Sequence, residues 1–442
     1  MSVGIRAENK NRWERRTPLT PDHVRELVTE QGVQVVVEPS SVRVFPDRDY
    51  AEAGAQLDSD LTGPAVIFGV KEIPVGLLVR NKVYVFFPHV TKGQDYTMPM
   101  LRRILDLGCT VIDYEQVIDR RGRRLIFFGR HAGYAGMIDS LWALGQRLAA
   151  EGFVTPLEQV RLARQYADLE DALDHLADVG DAIRHSGLPA GLRPIVTAIT
   201  GSGNVSRGAQ EVYDRLPVQE IEPEELVGLA EDRDRPRNAI YRTVLGRHHR
   251  YQRADGSFDG DEFAAHPERY RSALDALLPH ITVFIHGAYW EPPQPVLIRR
   301  DQLQALFLAE AQPKLRVIGD ITCDIQGSIA ATLRATDSGD PVYRYDPSTG
   351  AEVPGLAGPG VVVMAVDNLP CELPIDASQH FGDSLVRFVG GLDRCHWERP
   401  FDQLDLAPEL KGAIVAHRGR LTPNFAHLAA SLEQHGGPST NG

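Results

Sequence analysis

Two short apolar runs end in groups that can move protons. AVIFGV (65–70) is followed directly by Lys71, and VYVFF (83–87) by Pro88 and then His89. In a parallel α/β sheet, ligands bind outside the carboxyl ends of the strands. Consecutive βα units would therefore present an amine and an imidazole at one sheet edge. Histidine titrates near neutral pH. Desolvation beside an apolar strand end disfavours a lysine's charge and brings it toward the same range. Either residue alone reads as structural or solvated; their shared placement favours an acid–base pair. A third group, Arg16 in WERRTPLTP (13–21), stands just before a helix start. A guanidinium there can grip a carboxylate with two hydrogen bonds, although surface arginines are common.

A different chemistry belongs to GSGNVSRGA (201–209), which follows the apolar run PIVTAIT (194–200) and precedes a helical pattern over 209–216. In a dinucleotide-binding turn the first glycine makes the bend and the second lets the backbone approach a pyrophosphate. Gly201 and Gly203 fill those roles. The third glycine, which permits close helix–strand packing, is replaced by Ser206, small enough to approximate it. A pyrophosphate would lie on the backbone of Ser202, Asn204 and Val205, where the next helix opens. About 20 residues further on, an acid at a strand end would hold a ribose hydroxyl. Glu220 and Glu222 are both in range, and Glu222 is taken as the candidate. The basic loop Arg233, Arg235 and Arg237 could instead hold a ribose 2′-phosphate, but it reads first as a solvated charge run.

The elements that must position these groups are legible in outline. Apolar runs at 33–37, 65–70, 83–87 and 110–112 read as strands, with helices over 21–31 (Thr20 as N-cap, Pro21 first) and 98–107. Residues 135–150 form a long helix, and 157–187 a polar helical segment. A second set of strands is expected at 194–200, 218–221, 281–285 and 315–318, and another apolar run at 360–366 follows a turn-rich stretch. Alternating strands and helices imply an α/β fold: two Rossmann-like domains with parallel sheets and a cleft between them. The cofactor domain, 151–344, would be inserted in a substrate domain of 1–150 and 345–442. The last residues, QHGGPSTNG, read as a frayed tail.

Composition narrows the class. A 442-residue chain with 43% hydrophobic and 24% charged residues is an ordinary globular sequence, and its net charge of −13 argues against nucleic acid and anionic membranes as partners. The four cysteines (109, 323, 371 and 395) form no C-x-x-C pair, which suggests neither a zinc site nor a disulfide framework. No metal is expected. The charged N-terminus lacks a secretory h-region and no run is long enough to span a bilayer, so the expected location is the cytoplasm.

Taken with WERRTPLTP, the stretches GVKEIP (69–74), FFPHVTKGQ (86–94), IDYEQVIDRRGRR (112–124), FGRHAGYAGMID (128–139), TGSGNVSRGAQ (200–210), VLGRHH (244–249), HPERY (266–270), HGAYWE (286–291), GDITCDIQGSI (319–329) and VDNLPCELP (366–374) carry a resemblance. The chain is similar to the alanine dehydrogenase/transhydrogenase family, and within it to the lysine–ketoglutarate reductase branch, the lysine-forming saccharopine dehydrogenases. The resemblance implies an oxidoreductase that condenses the ε-amine of L-lysine with 2-oxoglutarate. It would reduce the imine to saccharopine with NADPH, NADH being the alternative. Lys71 and His89 match the family's acid–base pair and Arg16 its carboxylate-binding arginine. Glu72 and Glu115 match acids of the lysine-binding part. Asp324 matches an aspartate near the nicotinamide, and Asn368 and Leu369 a loop that closes over the cofactor.

The chain departs from the family's pattern at Ser206 and Arg207, at Ile325 and Gln326 before Gly327, and at His286. Larger members carry a saccharopine-oxidising second half, so a separate enzyme of that kind is expected to use the product. Two other readings share these residues. One is a reductive aminase or opine dehydrogenase with another amine or keto acid. The other is a non-catalytic nucleotide-binding relative, against which the retention of Lys71, His89, Arg16 and the glycine loop argues.

Overall fold

The computed structural model describes residues 2–229, 236, 238–310 and 312–434. Contacts divide the chain into two units, one of residues 1–128 with 374–442 and the other of 129–373.

The first unit begins with strands β1 (Ser2–Ile5), β2 (Gln34–Val37), β3 (Gln56–Leu57), β4 (Val66–Phe68), β5 (Val83–Phe86) and β6 (Thr110–Asp113). The second contributes β7 (Val196–Thr200), β8 (Val218–Glu220), β9 (Ile240–Leu245), β10 (Tyr251–Gln252), β11 (Arg271–Ser272), β12 (Val283–His286), β13 (Val317–Asp320), β14 (Val342–Asp346), β15 (Ala351–Val353) and β16 (Val361–Met364). The chain then returns to the first unit with β17 (Ile414–His417) and β18 (Arg420–Leu421).

Each unit holds one eight-stranded sheet. The first runs β18-β17-β6-β5-β4-β1-β2-β3, parallel from β6 to β3, with β17 antiparallel on β6. The second runs β15-β14-β16-β13-β12-β7-β9-β8, parallel from β16 to β8, with β14 antiparallel on β16. The expected α/β architecture of two Rossmann-like sheets is present. Its strands explain why: VYVF, VTAIT and VVVM are buried along their whole length, the pattern of a parallel sheet covered on both faces.

Several elements differ from expectation. The helix expected from 135 starts at Gly129 and runs to Ala150, and it belongs to the second unit, as do residues 345–373. The contact division thus falls at 128/129 and 373/374 instead of 150/151 and 344/345. The helix Gly129–Ala150 packs against the helix Asn204–Tyr213 and against β13, and β16 pairs with β13. The segment expected as helix over 157–187 is helical only over Leu169–Ser186, after short 3₁₀ turns. β9 was not anticipated, because Arg242 and Thr243 interrupt its apolar pattern; Arg242 reaches out of the sheet to Asp214 and Glu220. The basic loop at Arg233, Arg235 and Arg237, and the terminal residues 435–442, lie outside the described residues.

The helix pair in the second unit meets through glycine. A Cβ on Gly133 would overlap the carbonyl oxygen of Val205, and one on Gly208 that of Arg130. Neither backbone can give way. Alanine is intrinsically the better helix residue by about 1 kcal/mol, yet Gly208→Ala should lower stability by roughly 1–3 kcal/mol through overpacking. Gly391→Ala, in the helix Pro374–Arg394 with open space around it, should be neutral or stabilising. Urea titration of the two variants checks the contrast.

Candidate functional site

In the first unit the chemistry gathers at the carboxyl ends of β4, β5 and β6. Lys71 and Glu72 follow β4, His89 follows β5, and Asp113 ends β6. Glu8, just after β1, ties the first of these turns down: its carboxylate accepts the backbone N–H of Val70 at 2.7 Å and of Lys71 at 3.0 Å. The turn after β4 is thus held by a buried acid, and the Lys71 side chain is left half-buried above it. Burial lowers the Lys71 pKa, and the charges of Arg16 and Lys10 push it further down.

His89 adopts a left-handed backbone conformation, with φ 51°, uncommon for a residue with a Cβ. Its ring lies stacked on Phe87, 6.1 Å between centroids. Nδ1 lies 2.6 Å from the Glu72 carboxylate. Burial alone would raise the Glu72 carboxyl. The hydrogen bond and charge of His89, with Lys10 at 3.8 Å, bring it down instead to about 2. Glu72 is therefore an anion whose hydrogen bond to Nδ1 orients the imidazole.

Arg16 is fully buried and its fork is already filled. Nε and Nη2 donate to the two carboxylate oxygens of Glu14 at 2.8 and 2.6 Å, while the guanidinium lies 4.2 Å over the Phe128 ring. Phe128 stacks in turn on Phe381 at 4.5 Å, which brings the C-terminal part of the chain into the arginine's support. The sequence singled out Arg16 and passed over Glu14, two residues away in the same motif. Glu115 pairs with Arg124 at 3.1 Å, a second partner that was not anticipated.

Asp113 was missed as well. It is buried at the end of β6; Oδ1 accepts the N–H of Glu115 at 2.8 Å, and Oδ2 has no hydrogen-bond partner among the described residues. Burial, and then the charge of Glu115, push its pKa up to about 7. The usable signal was its place as the last residue of an apolar strand.

In the second unit, Gly201 has φ +89° and sits against Ala288, whose Cβ a side chain at 201 would meet at 3.2 Å. Gly203 caps the helix Asn204–Tyr213, and nothing lies within 4 Å of where its Cβ would stand. Ser202, Gly203 and Asn204 are exposed. The turn thus combines a bend only glycine makes easily with a helix start open to an approaching phosphate. Ser206 is buried and donates its hydroxyl to the Gly201 carbonyl at 2.8 Å, so it fastens the turn. The close-packing role belongs to Gly208, against the helix Gly129–Ala150.

The remaining expected residues are placed less openly. Asp324 is half-buried in a turn with Cys323 and Gln326 at positive φ. Its carbonyl accepts the N–H of Gly327 at 2.8 Å. Asn368 and Leu369 are both buried, Leu369 against Gly136. Glu222 is exposed and caps a 3₁₀ turn, its N–H bonded to Glu225 at 2.9 Å. His286 is a core residue: Nδ1 lies 2.9 Å from the Thr200 hydroxyl, and burial, then Arg250, push its pKa down to about 3. Among the described residues there is no group of three His, Cys, Asp or Glu that could hold a metal, and no helix long and apolar enough to cross a membrane.

Two Rossmann-like α/β sheets, one with Lys71, Glu72 and His89 at its carboxyl edge and the other with a glycine turn, define a two-unit α/β chain of the Rossmann-like class. Two models of one family match it: the alanine dehydrogenase/PNT N-terminal domain over residues 4–135 and the alanine dehydrogenase/PNT C-terminal domain over 282–424. The chain belongs to that family. It is 35% identical to the mitochondrial alpha-aminoadipic semialdehyde synthase of Rattus norvegicus over 96% of its length, and spans about half of that relative, 47%. It is 26% identical to the NAD(+), L-lysine-forming saccharopine dehydrogenase of Neurospora crassa, covering 86% of this chain and 88% of the relative. A solved L-alanine dehydrogenase superposes with a TM-score of 0.61 at 19% identity, covering 98% of this chain and all of the other, a likeness of fold.

The raised carboxyl of Asp113 has a stability consequence. The folded chain keeps this proton up to about pH 7, whereas an ordinary aspartate loses it near 3.8. The contribution is complete below that lower value and is lost as pH rises to 7. Asp113→Asn, neutral at every pH and still able to accept from Glu115, removes that slope. Its stability relative to the parent should rise by about 2–4 kcal/mol between pH 4 and pH 8, measured by denaturant titration. A pH-independent difference would contradict a protonated Asp113.

Proposed function

We propose that the chain is a lysine–2-oxoglutarate reductase, which joins the ε-amine of L-lysine to the ketone of 2-oxoglutarate and reduces the resulting imine to saccharopine, in lysine degradation. The observation that carries this reading is the 2.6 Å Glu72–His89 hydrogen bond beside Lys71, an amine whose charge is disfavoured by burial. Such a pair suits a reaction that moves protons twice. His89 Nε2 accepts the proton that frees the attacking amine. Once the carbinolamine has formed, the Lys71 ammonium donates to the departing hydroxyl, and water leaves. Glu72, an anion throughout, stabilises the imidazolium formed between these steps.

The two substrates bring three carboxylates. Arg16, held in orientation by Glu14, would meet one of them; Glu72 and Glu115 would face the amine-bearing end. Gly201, Ser202, Gly203, Asn204 and Val205 would cradle the pyrophosphate of a nicotinamide dinucleotide, with Asp324, Asn368 and Leu369 toward its nicotinamide. When bound, that dinucleotide, NADPH in this reading, supplies hydride. The saccharopine would pass to a saccharopine-oxidising activity, and four free cysteines suit a cytoplasmic setting.

Loss of reduced-cofactor absorbance in the presence of 2-oxoglutarate and single amino acids tests the assignment. Turnover is expected with lysine; turnover with a different amine alone would replace it with another reductive aminase. Lys71→Met and His89→Gln should each lower turnover by about 10²–10⁴-fold and leave dinucleotide binding, followed by calorimetry, intact. Unchanged rates in both would remove the two residues from the chemistry.

A further inference from the structure

Two carboxyl groups are buried against each other in the second unit. Asp139, in the middle of the helix Gly129–Ala150, is 0% exposed, and Glu372, the last residue of the 3₁₀ turn Leu369–Glu372, is 3% exposed. Asp139 Oδ1 accepts the N–H of Ala163 at 2.8 Å. Asp139 Oδ2 and both Glu372 oxygens have no hydrogen-bond partner among the described residues, although the two side chains lie within hydrogen-bonding reach of each other. Ionised carboxylates hold only acceptors, so no bond can join them until one carries a proton. The alternative leaves buried acceptors bare and sets two like charges side by side, and both are unfavourable. Burial raises both carboxyls, and the charge of Asp139 raises Glu372 further. The groups that act on the pair are Arg164, from the 3₁₀ turn Ala163–Gln165, and Ser338. Arg164 favours the charged forms, and its Nε donates to the Ser338 carbonyl at 2.5 Å. The Ser338 hydroxyl lies 3.9 Å from the Cys371 thiol.

The place of the pair in the fold gives it a task. The helix Gly129–Ala150 and the turns Ala163–Gln165 and Leu369–Glu372 all touch one another, and the pair lies where they meet. Asn368 caps the second turn, whose Cys371 N–H donates to the Asn368 carbonyl at 3.0 Å. Leu369 packs at Gly136, three residues before Asp139 on the helix. The turn thus has an apolar contact at its start and the carboxyl pair at its end, and the chain leaves the second unit directly afterwards, at 373/374. Both carboxyls are raised above their ordinary range, so the bond between them is complete in acid and is lost as pH rises and the last proton leaves. Buried carboxyls can hold that proton up to about pH 8–9.

We propose that Asp139 and Glu372 share one proton and through it lock the turn Leu369–Glu372 onto the helix, as positioning residues that hold Asn368 and Leu369 for a dinucleotide. The holding role rests on the dinucleotide-binding reading; the lock does not. Hydrogen exchange over residues 366–373 of the full chain, read by mass spectrometry with β7 as internal reference, tests the lock. The parent is compared at equal pH with Glu372→Gln, whose amide supplies the donor at every pH. The two should exchange alike at about pH 6, and the parent at least about ten-fold faster at about pH 9. Asp139→Asn, which supplies the donor from the other side, should behave as Glu372→Gln. Titration with NADPH and with NADH should show the parent's affinity falling several-fold over the same range while that of both variants stays level. A pH-independent exchange ratio overturns the lock. So does faster exchange of both variants than the parent at about pH 6, because the acids would then be needed as anions. A level parent affinity beside a pH-dependent exchange ratio overturns the holding role. Binding of neither dinucleotide by the parent removes the dinucleotide reading and the holding role with it, while the exchange ratio still decides the lock.

Discussion

Strands buried on both faces leave little room for ionisable side chains except at their ends, and the placement of chemistry in this chain follows from that constraint. Along β5, β7 and β16 every residue is buried. An ionisable group within such a run would bear the full cost of desolvation. The carboxyl ends are where the backbone turns outward and a side chain can be polar on one side only. Lys71, Glu72, His89 and Asp113 occur there in one unit, and Gly201 in the other. Burial at such an end lowers the proton affinity of Lys71 and raises that of Asp113.

The first unit manages its charges by pairing each with an opposite. Glu14 fills Arg16, Glu72 holds His89, Glu115 meets Arg124, and Glu8 spends its carboxylate on two backbone amides. Asp113 takes only the N–H of Glu115 and holds its proton up to about pH 7. Lys71 is the exception in the other direction: it is pressed between burial and two cations, and among the described residues no carboxylate makes an ion pair with its ammonium. Such a group gives up its proton more readily than an ordinary lysine, which suits the acid–base role proposed for it.

Residues whose meaning lies in their own local run were legible in the sequence. A lysine after AVIFGV and a histidine after VYVFF need only the strand to be recognised, and the glycine turn needs only strand, bend and helix. Partners brought in from elsewhere were not. Glu8 acts on Lys71 across 63 residues, and nothing in the pattern around either marks the contact. The helix Gly129–Ala150 was read correctly as a helix, but its membership in the second unit depends on Gly133 and Gly208 meeting backbone carbonyls, which no helical periodicity reveals. Leu369 looks like a loop residue in VDNLP and proves to be core against Gly136. The insertion of β9 between β7 and β8 was not legible either: spacing in sequence stands for adjacency in a sheet only when no later strand is inserted between neighbours.

The helix Gly129–Ala150 explains how the second unit keeps its turns in place. Gly133 admits the backbone of Val205, Gly136 admits Ile321 and Leu369, Ser140 lies under Gly319, and Gly145 admits the backbone at Leu157. One helix therefore touches the glycine-turn helix, the loop after β13 and the 3₁₀ turn at Asn368 from one side, and the 3₁₀ segment after the helix itself from another. Each contact is close because a side chain is small or absent, so each leaves little freedom for the element it touches. Interiors packed this tightly transmit displacement and do not absorb it. The residues expected at both ends of a dinucleotide, Val205 and Leu369, are referenced to the same helix, and their spacing is fixed by that helix more than by the loops that carry them.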